Sequence, residues 1–173
     1  MSRRQDAIPA GERSAAALAL LPDKPGEQPR LFPRRLKILI CSQNHAPELI
    51  GIGKYTGELV AWLADQGNAV RVVAAPPYYP AWRIDPGFRN RYARERRMGA
   101  TVYRCPLWVP QRQTGLRRIL HLLSFAASSL PVLLWQGFHW RPDVVITVEP
   151  PVLAAPGALL AAPLAGPKSR LHV

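Results

Sequence analysis

Short apolar runs of strand type are spaced along residues 37–173. They lie at residues 37–41 (KILIC), 69–75 (AVRVVAA), 101–105 (TVYRC), 143–148 (DVVITV) and 169–173 (SRLHV). The run at 143–148 is apolar at nearly every position, which is typical of a strand covered on both faces of its sheet. We therefore predict a sheet whose central strands are buried on both sides.

Segments of helical type separate these runs. Between the first two, apolar side chains recur at the spacing of an amphipathic helix, and Gly67 follows where such a helix would end. The recurring side chains are Ile52, Tyr55, Leu59, Trp62 and Leu63. Residues 116–138 and 152–164 predict two further helices. This alternation predicts an α/β fold, a Rossmann-like doubly wound parallel sheet that binds its ligand at the carboxyl ends of the strands.

The strongest candidate for ligand binding is the turn after the first predicted strand, which reads SQNHAPELIGIGK. Gly51 and Gly53 have no Cβ, so backbone N–H groups at the start of the helix can approach an anion, and Lys54 adds positive charge. His45 and Glu48 can orient a hydroxyl group or act as a base. A tight turn with close helix–sheet packing, and capping or solvent-facing roles for the two polar side chains, explain the same residues.

A second candidate is the loop after the next predicted strand, which reads PPYYPAWR. Its prolines exclude a helix or a central strand. Tyr78, Tyr79 and Trp82 can stack against a sugar or a lipid, or can cover the neighbouring core. Glu149 follows the predicted strand at 143–148, at the edge where ligands bind, and either hydrogen-bonds a substrate or provides polarity at a strand end.

Charge and composition narrow the range of partners. The 173 residues include 23 Lys and Arg against 11 Asp and Glu, a net charge of +12, which favours an anionic membrane surface or another polyanion. Nucleic acid is disfavoured, because the aromatic residues cluster beside prolines and do not alternate with basic residues. The two cysteines, Cys41 and Cys105, are too few for a disulfide scaffold or a zinc site, so we expect buried thiols and no metal.

Three segments bear on where the protein acts. Residues 1–35 are proline-rich and lack sustained periodicity, so we expect a disordered basic extension before a folded domain at 36–173. The arginine-rich residues 89–97 predict a short helix with a solvated basic face. Residues 116–138 are almost apolar enough to span a bilayer, but their polar interruptions favour a core helix or one lying at a membrane interface. We expect a cytoplasmic protein.

Three separated blocks carry a family resemblance. They read HAPELIGIGKYTGELVAWLADQGNAVRVVAAPPYYPAWR, RCPLWVP and VITVEPPVLAAPGALL. In this order they resemble the N-terminal half of a bacterial exopolysaccharide glycosyltransferase of family 4, the colanic acid biosynthesis type. The GIGKYTGE turn and the PPYYPxW loop contribute most to the resemblance. The third glycine of the turn comes one residue too late for the dinucleotide fingerprint, which disfavours NAD.

The resemblance implies one half of a GT-B fold, in which two Rossmann-like domains face a cleft and the sugar is transferred with retention of configuration. The N-terminal half of such an enzyme holds the acceptor. This chain is therefore expected to lack the C-terminal, donor-binding domain and to be inactive alone.

The implied partners are a nucleotide-sugar, which is a substrate and not a cofactor, and a lipid-linked saccharide at the inner face of the cytoplasmic membrane. The resemblance assigns no catalytic residue. Two alternatives stay open: a non-catalytic membrane-surface or partner-binding module, and a nucleotide enzyme with an unusual turn.

Overall fold

The computed structural model describes residues 34–112, 114–148 and 170–172. Within them lie the strands β1 (Lys37–Ser42), β2 (Ala69–Ala74), β3 (Ala93–Arg97), β4 (Ala100–Arg104), β5 (Val144–Val148) and β6 (Arg170–His172). The helices are α1 (Gly51–Asp65) and α2 (Gly115–Trp135), and a π-helical segment, Gln136–Trp140, continues α2. The predicted helix at 152–164 and Glu149 lie outside the described residues.

The strands form one mixed sheet in the order β3-β4-β2-β1-β5-β6. All neighbouring strands from β4 to β6 are parallel, and in the centre Ile40 of β1 pairs with Val72 of β2 and Ile146 of β5. From β1 the chain first builds the sheet towards β2 and β4 and then crosses back to β5. A sheet of this kind opens a crevice at the carboxyl ends of its strands. The predicted Rossmann-like α/β fold is confirmed.

The prediction of a short helix in the arginine-rich segment is wrong. β3 pairs antiparallel with β4, from Ala93 opposite Arg104 to Arg97 opposite Ala100. Met98 and Gly99 join the two strands with φ angles of 50° and 73°. These left-handed values suit a two-residue hairpin turn. Pairing across this turn outweighs the helical preference of the arginines, because propensity is weak beside tertiary context.

α1 packs on the sheet mainly through small residues. Its buried residues are Gly53, Thr56, Gly57, Val60 and Leu63. The predicted apolar face is only partly buried, since Tyr55 is 69% and Trp62 40% exposed. A Cβ on Gly57 would lie 3.2 Å from the Cβ of Ala46, so the helix approaches the turn before it closely. α1 ends as predicted, because Gly67 has a φ of 82° and bonds back to the last turn.

α2 covers the hydrophobic core. Its Phe125 and Leu133 are fully buried in one cluster with Leu39 of β1, Val73 of β2 and Val145 of β5. Three serines interrupt the apolar sequence of the helix, and each donates a hydrogen bond to the carbonyl group three residues earlier. The polar interruptions are thus satisfied within the helix. Both cysteines are buried, unbridged thiols, as predicted.

The outward side of α2 is apolar. It exposes Leu116, Ile119, Leu120 and Leu123 near its start and Trp135 at its end, and Phe138 is exposed in the π-helical segment that follows. We call these six residues the apolar face of α2. By length and composition alone, Gly115–Trp140 could cross a membrane. Its most apolar stretch of 18 residues has a mean hydropathy of 1.5, and 28% of that stretch is buried. Core helices of soluble proteins reach similar values, so the exposure of this face is the more informative observation.

Candidate functional site

A cavity of about 400 Å³ opens at the carboxyl ends of β1 and β2. Its walls come from the turn after β1, the start of α1, the loop after β2 and the first two turns of α2. The predicted residues that line it are Gly51, Gly53, Tyr78, Tyr79 and Trp82. The structure thus brings five residues from two predicted candidate segments to one concave surface. We call it the rim cavity.

Three buried polar side chains, His121, Tyr78 and Gln43, meet at one wall of the rim cavity. His121 Nδ1 lies 2.6 Å from the carbonyl oxygen of Trp108, which can only accept, so Nδ1 carries the proton. In the neutral ring Nε2 is then an acceptor, and the Tyr78 hydroxyl lies 3.1 Å and Gln43 Nε2 2.6 Å from it. Gln43 Nε2 also donates to the Tyr78 hydroxyl at 3.0 Å. We call these three residues the polar cluster.

The polar cluster is uncharged near neutral pH and retains an unused acceptor. Burial lowers the pKa of His121, an effect that the bond to the Trp108 carbonyl opposes, and burial raises the pKa of Tyr78 to about 12. Gln43 Oε1 is buried and has no hydrogen-bond partner among the described residues. An unsatisfied buried acceptor costs roughly 1–3 kcal/mol. This oxygen exposes less than 1 Å² of surface, so a bound molecule would reach it only if the Gln43 side chain moved.

Aromatic rings lie beside the polar cluster. The ring centroid of Trp82 is 5.8 Å from that of Tyr78 and 5.3 Å from that of His121. Trp82 has a φ of 49°, an uncommon backbone angle for a bulky residue, and its ring packs against both neighbours. Tyr79 is 42% exposed on the same lining. The rim cavity therefore combines an aromatic surface with hydrogen-bonding groups.

Glu48 fixes the shape of the rim cavity. Its Oε1 accepts hydrogen bonds from the backbone N–H groups of Tyr78 and Tyr79, each at 3.1 Å, and its Oε2 accepts one from Asn44 Nδ2 at 3.0 Å. A Cβ on Gly53 would lie 2.5 Å from Glu48 Oε2. The missing side chain at position 53 thus makes room for this carboxylate. Glu48 joins the turn after β1 to the loop after β2.

Three predicted residues, Glu48, His45 and Lys54, do not line the rim cavity. His45 is 1% exposed, and neither ring nitrogen has a hydrogen-bond partner in the described part of the chain. Burial, and then the positive charges of Arg104 and Arg97, lower the pKa of His45 to about 3, so the ring is neutral. Lys54 is exposed on α1, with its Nζ 3.8 Å from the Glu58 carboxylate.

Sequence reasoning did not select Gln43, Arg118 or His121, all of which line the rim cavity. A signal was present for two of them, since Gln43 directly follows an apolar strand and His121 interrupts an apolar helix. Neither position, taken alone, indicates a contact between them. Among the described residues, no group of three or more His, Cys, Asp and Glu side chains is arranged to hold a metal ion.

Comparisons with known proteins show a family match for most of the chain. Residues 51–173 match the family described as "Glycosyl transferase 4-like domain". Over 139 residues the chain is 51% identical to the "Putative colanic acid biosynthesis glycosyl transferase WcaI" of Escherichia coli (strain K12). That alignment covers 80% of this chain and 34% of WcaI, so the chain spans about a third of the length of this relative.

A solved structure gives a weaker match. The C-terminal domain of a hydrogenase from Pyrococcus furiosus aligns with a TM-score of 0.46 at 12% identity, over 81% of this chain and 93% of that chain. A likeness at this level carries no argument about function.

Proposed function

Because the chain belongs to the glycosyl transferase 4-like family, we propose that it is the acceptor-binding half of a retaining GT-B glycosyltransferase of exopolysaccharide synthesis. In this proposal the donor is a nucleotide sugar and the acceptor is a lipid-linked saccharide. The donor is held by a second Rossmann-like domain across the cleft. Residues 1–173 on their own are expected to bind the acceptor and to transfer no sugar.

The rim cavity is the observation that carries this proposal. Its volume of about 400 Å³ is in the range of small-molecule sites. A saccharide ring presents an apolar face and several hydroxyl groups. Trp82 and Tyr79 suit the apolar face, and the polar cluster suits the hydroxyl groups.

On the α1 side of the rim cavity, the Glu48 carboxylate favours a neutral saccharide over a diphosphate. The Glu48 carboxylate already lies beside the first turn of α1, where the helix dipole would otherwise attract an anion. This carboxylate reduces the positive potential that a diphosphate would meet. Gly51, which is exposed and has a φ of 61°, is the member of this turn best placed to direct its amide towards a donor across the cleft.

We further propose that the apolar face of α2 rests on the cytoplasmic face of the membrane. Interfacial helices bury such a face among lipid chains and keep basic residues at the headgroups. Arg117 and Arg118 lie in the first turn of α2, and the net charge of +12 favours an anionic surface. Arg118 and His121 also line the rim cavity. A lipid-linked acceptor would therefore reach the cavity along the helix that contacts the bilayer.

Acceptor binding is tested by titrating the whole chain with a short-chain polyprenyl-diphosphate monosaccharide and measuring the heat of binding by calorimetry. We expect Trp82→Leu and Gln43→Leu each to weaken binding about tenfold, which corresponds to roughly 1.4 kcal/mol. Trp62→Leu is the matched control, because Trp62 is exposed on α1 and does not line the rim cavity. An equal loss in all three variants would refute the assignment of this cavity.

Transfer is tested by incubating the chain with the same acceptor and a panel of radiolabelled nucleotide sugars. We expect no labelled lipid product, because the donor-binding half is absent from the reaction. Measurable turnover by the chain alone would overturn the division of roles between the two halves.

The second candidate function is a non-catalytic membrane-surface module, which the exposed apolar face of α2 supports independently of the rim cavity. It predicts binding to vesicles without binding to the saccharide. Leu120→Glu is expected to weaken co-sedimentation with anionic vesicles, whereas Tyr55→Glu, at an exposed aromatic residue of α1, leaves it unchanged. Vesicle binding that survives Leu120→Glu would exclude this face as the contact.

A further inference from the structure

A second cavity, of about 470 Å³, lies at the β3 edge of the sheet. It is bounded by the β3–β4 hairpin and the segment before it. Four arginines line it, Arg89, Arg91, Arg97 and Arg104, whereas Glu95 is the one carboxylate in its lining. We call it the arginine cavity. It shares no lining residue with the rim cavity.

Glu95 does not neutralise the whole arginine cavity. Its Oε1 accepts hydrogen bonds from Arg104 Nη2 at 2.7 Å and Nε at 3.0 Å, and from Arg97 Nε at 3.4 Å. Arg104 is 2% exposed and also donates to the carbonyl groups of Ala75 and Ala46. A guanidinium buried to this degree requires its carboxylate partner. Glu95 is thus committed to Arg104 and, more loosely, to Arg97.

The other two arginines of the cavity have no such partner. Within the described part of the chain, no carboxylate oxygen lies within 4.0 Å of a side-chain nitrogen of Arg89 or Arg91. Four guanidinium groups around one concave surface repel one another, and a single glutamate offsets only part of this repulsion. The arrangement therefore favours an additional anion in the cavity.

The segment that carries these two arginines is held in place. Asn90, which lies between them, donates through Nδ2 to the Leu107 carbonyl at 2.8 Å and accepts the Leu107 N–H at 3.0 Å through Oδ1. Just before them, the Gly87 N–H donates to Asp85 Oδ1 at 2.8 Å. The backbone between Arg89 and Arg91 is thus anchored to the segment after β4. An anion that binds there need not order the segment first, which reduces the entropic cost of binding.

We propose that the arginine cavity binds a phosphate group that carries two negative charges, as in a phosphate monoester or a diphosphate. The planar fork of a guanidinium matches two phosphate oxygens at once, which distinguishes this site from a diffuse positive surface. The Phe88 ring, whose centroid is 5.4 Å from Arg104 Cζ, forms an apolar part of the wall for the group attached to the phosphate. This site is separate from saccharide binding in the rim cavity.

Calorimetric titration of the whole chain with pyrophosphate tests the proposal. We expect saturable binding that Arg89→Gln and Arg91→Gln each weaken about tenfold, equivalent to roughly 1.4 kcal/mol. Arg96→Gln is the matched control. It removes the same charge from an exposed position of β3 whose side chain alternates away from Glu95 and Arg97. This control is expected to change the affinity less than about twofold.

Two results would overturn the proposal. One is the absence of saturable binding at millimolar pyrophosphate, and the other is an equal loss in the Arg91→Gln and Arg96→Gln variants, which would indicate attraction by net charge alone. Because Arg89 and Arg91 are exposed, their variants are expected to keep the melting temperature of the parent chain. Failure of saccharide binding in the rim cavity would leave these outcomes unchanged.

The phosphate group could belong to a soluble molecule or to a lipid headgroup, and vesicles distinguish the two. If vesicles that contain phosphatidic acid displace pyrophosphate, and Arg91→Gln weakens binding to them, the phosphate is that of a lipid. If the same vesicles leave the pyrophosphate affinity unchanged, the ligand is a soluble phosphate ester. Vesicles of phosphatidylcholine, which have no net charge, serve as the reference.

Discussion

Acidification is expected to destabilise this chain through His45, whose ring makes no hydrogen bond with the described part of the chain. The pKa of the buried ring is about 3, whereas a solvent-exposed histidine has a pKa of 6.5. Between these two values the unfolded chain binds a proton that the folded chain does not. Stability from this residue is therefore complete above about pH 6.5 and falls as the pH drops towards 3.

The size of the effect follows from this difference in proton binding. Lowering the pH from about 8 to about 5 is expected to reduce the free energy of unfolding by about 2 kcal/mol through His45. At about pH 5 the folded ring, with a pKa of about 3, is almost unprotonated, so the size of the effect depends mainly on the pKa of the ring in the unfolded chain.

Urea unfolding, followed by tryptophan fluorescence across this pH range, measures the effect. His45→Met is the comparison, since methionine fills the buried volume and cannot take up a proton. Other groups, including the buried His121, titrate in both proteins, so the difference between the two isolates His45. If the parent and the variant lose the same stability between about pH 8 and about pH 5, the reasoning about a buried neutral ring is refuted.

Three further predictions concern single positions. Gly53→Ala is expected to lower the free energy of unfolding by roughly 1–3 kcal/mol, because the Cβ of the alanine would lie 2.5 Å from Glu48 Oε2. Gly115→Ala is the control: its Cβ would meet no atom within 4 Å, so the unfolding midpoint should stay nearly unchanged. Glu48→Ala should cost roughly 1–3 kcal/mol in the same assay, since two backbone N–H groups lose their acceptor, and Glu58→Ala, on the exposed side of α1, much less; equal losses would contradict the positioning role of Glu48. Burial raises the pKa of Cys105 to about 12, so iodoacetamide should label it only after unfolding, and rapid labelling of the native chain would contradict its burial.

The strands and helices were predicted well where the apolar pattern agrees with the residues that mark the end of an element. The runs that became β1, β2 and β5 are short and continuous, and Gly67 marks the end of α1 where it was expected. Pattern failed for β3, because the segment is rich in arginine and its strand depends on a hairpin partner. It also failed for the buried side of α1, where close packing selects small residues over Tyr55 and Trp62.

The sequence predicted which segments form the candidate site. It did not predict the hydrogen bonds within that site. The turn and the loop that carry the predicted residues do meet at the rim cavity. However, the contact between Gln43 and His121 joins residues 78 positions apart, which only the strand order brings together. Likewise, Glu48 was considered as a base, and its bonds to backbone groups about 30 residues away depend on a tertiary contact that local pattern does not reveal.

The arginines of β3 also bear on how copies of this chain meet one another in solution. β3 ends the sheet on one side among the described strands, and none of them pairs with the outer row of its peptide groups. An unpaired strand edge of this kind can pair with a strand of a second molecule and, at high concentration, can start a fibril. When two such edges approach, both carry positive charge from Arg94, Arg96 and Arg97. Mutual repulsion between these side chains opposes such pairing, and we expect that neutralising them would favour aggregation at low ionic strength.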